Sequence, residues 1–184
     1  MTSQNRVNPW GGKIATAERG YFMGNRGSNT AWIICTLRDP DAAAVIEPVE
    51  YEKLFFLDEA TALSAGHRPC GRCRTKDYRT FVGFWKLGTD TPMDATLRKE
   101  MAEHAAGRYQ STRADRLPAG AMFELDGCAH LAWQRLAFLW SPGGYTLAGL
   151  LPTRGKVKVL TPPSTLAVLE AGYRPWVHPS VLRG

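Results

Sequence analysis

The chain has 184 residues and a mass of 20.3 kDa, enough for one compact domain or two small ones. Hydrophobic residues make up 44% and charged residues 22%, a globular balance that excludes a disordered, collagen-like or coiled-coil chain. The formal net charge of +6 favours a polyanionic partner without requiring one, and no run of about 18 uncharged apolar residues offers a membrane span.

Met1 to Arg6 leads into Asn8-Pro9-Trp10-Gly11-Gly12 with no apolar leader core, the pattern expected of a cytoplasmic protein. The first 20 residues show little periodicity and read as loop or a docked arm. Gly24-Asn25-Arg26-Gly27 reads as a glycine-bounded turn and lacks the Gly-Lys-Ser/Thr of a phosphate loop. Ala31 to Leu37 is a short apolar, β-branched run and predicts a strand that Asp39-Pro40-Asp41 ends. Lys53 to Leu57 predicts a second, central strand. Asp58 is placed to cap a helix, and Glu59 lies in its first turn, where the helix dipole favours a carboxylate. Ala60 and Leu63, with Ala62 and Ala65, are expected to face inward, and Gly66 stands where a left-handed residue would close the helix. Tyr78, Phe81, Val82 and Trp85 then recur at helical spacing as a core stripe. A further helix is expected from Thr91-Pro92, with Met93, Leu97, Met101 and His104 on one face and an end near Gly107.

The second half changes character. Met122–Leu125, Leu136–Trp140, Tyr145–Ala148 and Val157–Leu160 read as strands, separated by turns at Asp126-Gly127, Pro142-Gly143-Gly144 and Arg154-Gly155. Thr161-Pro162-Pro163 opens a last helix that ends at Gly172. The order predicts an α+β fold with a first half over residues 1–108 and a β-rich half over 109–184. Two segments echo each other. Leu63-Ser64-Ala65-Gly66-His67-Arg68-Pro69-Cys70 and Leu169-Glu170-Ala171-Gly172-Tyr173-Arg174-Pro175-Trp176 share leucine, alanine, glycine, arginine and proline in register. Glycine suits a left-handed helix end and proline a rigid exit, so the second segment reads as a degenerate copy that has lost both thiols.

Four cysteines occur, at 35, 70, 73 and 128. In a reducing compartment a structural disulfide is not expected. Cys70-Gly71-Arg72-Cys73 can give two thiolates to zinc from one turn, or act as a redox dithiol. A redox pair opens a helix after a buried strand, whereas this pair follows a helix and a Gly-His-Arg-Pro turn, which favours metal. Cys35 is the natural third ligand, and the fourth is open among Cys128, His67, His130 and water.

The stretch Phe55-Phe56-Leu57-Asp58-Glu59-Ala60-Thr61-Ala62-Leu63-Ser64-Ala65-Gly66-His67-Arg68-Pro69-Cys70-Gly71-Arg72-Cys73 resembles the metal-binding domain of Ada-type methylphosphotriester DNA-repair proteins. Met23 to Gly27 and Leu54 to Leu63 also resemble stretches in a set of uncharacterised bacterial proteins. The Ada resemblance covers roughly residues 21–85. It implies a strand–helix–CxxC zinc unit in which Cys70 and Cys73 match the CxxC and Cys35 an earlier ligand, and in which an earlier thiolate accepts a methyl group while zinc keeps the sulfur ionised. No second cysteine lies near Cys35 in this chain, so the ligand set is incomplete, distorted or completed from the second half.

Arg68, Arg72, Arg74, Lys76 and Arg79 crowd around the CxxC with only Asp77 opposing, and the resemblance implies that this loop faces DNA phosphate. Arginines give bidentate, salt-sensitive phosphate contacts, whereas pairing with thiolates or with Glu47, Glu50, Glu52, Asp58 and Glu59 is the alternative. The leading expectation is a zinc protein that contacts nucleic acid. The alternatives are an enzyme, using alkyl transfer at Cys35 or a cleft with Cys128, His130 or His178, and an interaction module whose zinc is only structural.

Overall fold

The computed structural model describes residues 6–7, 9, 13–14, 22–26, 31–36, 52–85 and 92–183. The fold is α+β. Its first sheet is built from β1 (Arg6–Val7), β2 (Lys13–Ile14), β3 (Phe22–Arg26), β4 (Ile33–Thr36), β5 (Glu52–Phe56) and β6 (Arg68–Pro69), in the order β2-β1-β5-β3-β4-β6. Its second is built from β7 (Ser111–Thr112), β8 (Met122–Leu125), β9 (Cys128–Trp133), β10 (Leu136–Ser141), β11 (Gly144–Leu150) and β12 (Val157–Val159), in the order β11-β10-β9-β8-β12-β7. The helices are α1 (Glu59–Ser64), α2 (Thr75–Phe84), α3 (Met93–Ala105) and α4 (Pro163–Ala171). Among the described residues no helix is long and apolar enough to cross a membrane.

One reading changes. Gly24–Arg26 is strand and not turn: β3 pairs antiparallel with β4 on one side and β5 on the other, with Gly24 opposite both Ile34 and Leu54. Ladder hydrogen bonds on both edges override the weak strand preference of Gly and Asn. Of the two alternatives for the first residues, loop or docked arm, the described ones fit the arm, since Arg6 pairs with Phe55 and β2 folds back on β1. Two-residue strands are too short to show alternation in a sequence. Gly27, Leu37, Asp39-Pro40-Asp41, Glu47, Glu50 and Thr91 lie outside the described residues.

In the second sheet, β8 and β9 join through Asp126 (φ 52°) and Gly127 (φ 75°), the left-handed pair a two-residue hairpin requires. The β9–β10 hairpin makes the same turn with Gln134 (φ 47°) and Arg135 (φ 68°), where no glycine announces it.

The strands of the two sheets divide near the expected boundary, but the core does not. Ile34, Leu54, Phe56, Leu63 and Phe81 pack in one cluster with Phe123, Val157, Val159, Leu169 and Tyr173. Leu57 and Ala60 join Met122, Leu131, Phe138 and Tyr145 in another. The element between the clusters is α1, every residue of which is buried. Asp58 caps it as expected, its Oδ1 accepting from the Thr61 amide at 2.8 Å. Gly66 (φ 76°) closes it: its N–H donates to the Leu63 carbonyl, and the His67 N–H donates to the Ala62 carbonyl. The end of α4 repeats this bond pattern, from Gly172 to Leu169 and from Tyr173 to Val168.

Candidate metal centre

The exit from the Gly66 end forms the site. The Arg68 N–H donates to the Trp32 carbonyl and the Cys70 N–H to the Ile34 carbonyl, so β6 runs parallel to β4 with Ile33 opposite Arg68 and Ile34 opposite Pro69. The next residue on each strand is a cysteine, Cys35 and Cys70. The chain then winds into a turn, with the Arg74 N–H on the Cys70 carbonyl and Thr75 Oγ1 donating to the Gly71 and Arg72 carbonyls. That turn brings Cys73 back to the pair. The three sulfurs lie within 4.8 Å of one another. Cys35 is 4% and Cys70 8% exposed beside Phe55, while Cys73 reaches partway to the surface.

Three thiols this close share protons. Hydrogen bonds from Cys35 and Cys73 hold the Cys70 thiol far below its ordinary range, with the Cys73 and Arg72 amides also donating to it. Cys35 moves the opposite way, because its proton is held against Cys70 and Cys73 and burial disfavours its thiolate. Thiolates are the metal-binding form of cysteine, and three of them from a strand end and one turn are a fitting donor set for a soft or borderline metal ion. The arrangement can hold a metal ion.

Two of the five basic residues expected at phosphate are engaged elsewhere. Arg68 forks Asp94 of α3, with Nε to Oδ1 at 2.7 Å and Nη2 to Oδ2 at 3.0 Å, and it lies over the Tyr78 ring. Burial works against its charge, but Asp94 holds its pKa above the ordinary value. Arg74 is buried, with Nη1 2.9 Å from Glu59 and Nη2 2.8 Å from Asp77. Pairing with an acidic residue before α2, one of the alternatives, is therefore what Arg74 does; it does not face outward to a phosphate. Arg72, Lys76 and Arg79 are exposed.

Cys128 does not join the other thiols. It is exposed at the start of β9, and its carbonyl, not its sulfur, accepts from His130 Nδ1 at 3.0 Å. Strand geometry puts the two on one face, as expected, but His130 stacks on Phe123. His67 is buried between Phe56 and Trp32 and donates from Nδ1 to the Ala65 carbonyl. His178 Nδ1 accepts from the Ser180 hydroxyl at 2.8 Å, while the Ser180 oxygen accepts from the Tyr145 N–H.

Nothing in the sequence announces what Asp58 and Glu59 do beyond capping. Asp58 Oδ2 accepts the His178 N–H, and Glu59 takes the Tyr173 hydroxyl at 2.6 Å on Oε1 and the Trp176 N–H at 2.9 Å on Oε2. The Glu59 N–H donates to the Trp176 carbonyl. Burial pushes the Asp58 carboxyl up, partly offset by its Thr61, Tyr145 and His178 hydrogen bonds. Burial and the Glu59 charge push the Tyr173 hydroxyl up. Arg74 thus links the cysteine turn, through Glu59, to the segment after Gly172. No family model, curated protein or solved structure matches the chain.

Proposed function

We propose that this is a zinc protein that grips the phosphate backbone of nucleic acid, DNA in the first instance, with the outer face of its cysteine turn. Cys35, Cys70 and Cys73 would hold the zinc, which would fix the turn against β4. The observation that carries the nucleic-acid reading is the placement of Arg72, Lys76 and Arg79. They stand exposed on the turn and the first turns of α2, with no ion pair among the described residues, while the nearest acid, Asp77, is taken by Arg74. Lys76 and Arg79 are three apart on a helix and share a face. The resemblance to Ada-type zinc domains supports the same reading, as does the chain's charge of +6. On this reading the Gly172 segment is the degenerate copy whose exit became a brace. Alkyl transfer at Cys35 is disfavoured by burial, since an acceptor sulfur must be reached by its substrate.

Binding of a labelled duplex, with single-stranded RNA as a comparison, tests this in rising salt. We expect the slope of log affinity against log salt to flatten by about 2–3 in the Arg72→Ala/Lys76→Ala/Arg79→Ala variant, about 0.9 for each phosphate the variant no longer neutralises. Absent binding, salt-independent binding, or an unchanged slope in that variant overturns the proposal. Metal analysis of the native protein should give one zinc per chain, lost in Cys70→Ser and kept in Cys128→Ser.

A further inference from the structure

All cysteines and histidines of the chain fall among the described residues, so every thiol and imidazole donor it owns can be placed. Three sulfurs gather, and among the described residues no imidazole or carboxylate joins them. The remaining candidates are committed to other contacts or stand apart: Cys128 exposed on β9, His67 against Phe56 and Trp32, His104 stacked on Tyr109, His130 on Phe123, and His178 on Ser180. A purely structural zinc site closes on four protein donors, chiefly cysteine and histidine, whereas a site with three protein ligands leaves a position for an outside group. Among the described residues the approach is also open. Gly71 and Arg72 are exposed and Cys73 partly so, while Cys35 and Cys70 are covered.

Resting on the metal reading above, we infer that Cys35, Cys70 and Cys73 form a three-thiolate centre whose fourth position takes an exchangeable soft donor from outside the chain, of the small-molecule thiol class. Soft donors suit a site already built from thiolates. A fourth thiolate adds negative charge, and exposed Arg72, between the two cysteines of the turn, supplies the opposite charge. The incoming thiol binds as thiolate and releases its proton to solvent. The centre is then a ligand-binding site as well as a brace for the turn.

The full chain, loaded with cobalt(II) in a phosphine-reduced buffer and titrated with 2-mercaptoethanol, provides the test. The sulfur-to-cobalt charge-transfer absorption should rise by about one third as four thiolates replace three, and fall back when the thiol is removed. Cys128→Ser should give the same spectrum and the same rise. Three results overturn the inference while leaving the metal reading intact: a spectrum that 2-mercaptoethanol does not change, a Cys128→Ser spectrum with one thiolate fewer, or one metal per two chains in a dimer. A chain that takes up no cobalt and whose melting ignores a chelator overturns the metal reading itself, and this inference with it.

Discussion

The ends of α1 and α4 close in the same way and lead to different things. Each puts a glycine with positive φ after the helix, and each makes the same two backbone bonds. After Gly66 the chain finds an open strand edge, pairs with β4 and delivers Cys70 beside Cys35. After Gly172 no such edge is met among the described residues. Pro175 passes close over Gly120, and the chain crosses to the buried start of α1, where Asp58 and Glu59 accept its amides. A glycine thus decides how a helix ends, and the partner that waits beyond it decides what the exit becomes.

The largest effect expected in breaking this relation is at Arg74, which ties one exit to the other through Glu59. Arg74→Met removes a cation whose partner is 2% exposed. An uncompensated buried carboxylate costs about 3–5 kcal/mol, so urea unfolding of this variant should show a loss of that order. Glu59→Gln in the same chain should return part of it, since the stranded charge goes with its partner. If the double variant is as unstable as the sum of the singles, the two exits are not coupled through this pair.

The two glycines sharpen the comparison next. A Cβ on Gly66 would sit 2.3 Å from Met101 Cγ, at φ 76°. Left-handed strain of about 1–2 kcal/mol and overpacking of about 1–3 kcal/mol combine there. A Cβ on Gly172 would meet the Phe84 ring at 3.3 Å, at φ 125°, so strain of about 1–3 kcal/mol dominates. Gly66→Ala should therefore lower the melting temperature more than Gly172→Ala. The reverse order would mean that Met101 gives way freely and that the fit of α3 against the Gly66 end is loose.

The first exit is legible in the sequence because its determinants are local. Asp58, Gly66 and Pro69 each act within a few residues of themselves, and the CxxC turn carries its own spacing. Cys35 can be named as the natural third ligand, though only the parallel β4–β6 pairing makes it adjacent. The second exit is not legible, because the groups that receive Tyr173, Trp176 and His178 are over a hundred residues away and look like ordinary capping residues. Arg74 misleads for a related reason. An arginine next to exposed arginines looks solvent-facing until the buried Glu59 is seen beneath it. The strand at Gly24 and the turn at Gln134-Arg135 escape because pairing, not residue preference, holds them.

The smallest expected effect concerns the outer side of this arrangement, where α3 meets the second sheet. His104 is buried on α3 against Tyr109, with ring centroids 4.4 Å apart, and Lys158 lies over the other ring of that stack. Burial disfavours its charged form, and Lys158 adds a like charge, so its pKa lies below the ordinary 6.5. In the unfolded chain the ring binds a proton near 6.5, but in the folded chain it does so only at lower pH. Its contribution is present in full above 6.5 and is lost as the pH falls from there through the folded value. His104→Phe keeps a ring on Tyr109 and removes the proton site. Between about pH 8 and pH 5 the melting temperature of the variant should therefore gain on that of the parent as acid is added. A constant difference across that range would show that the proton is as welcome in the folded chain as in the unfolded one, and that α3 does not seal His104 from water.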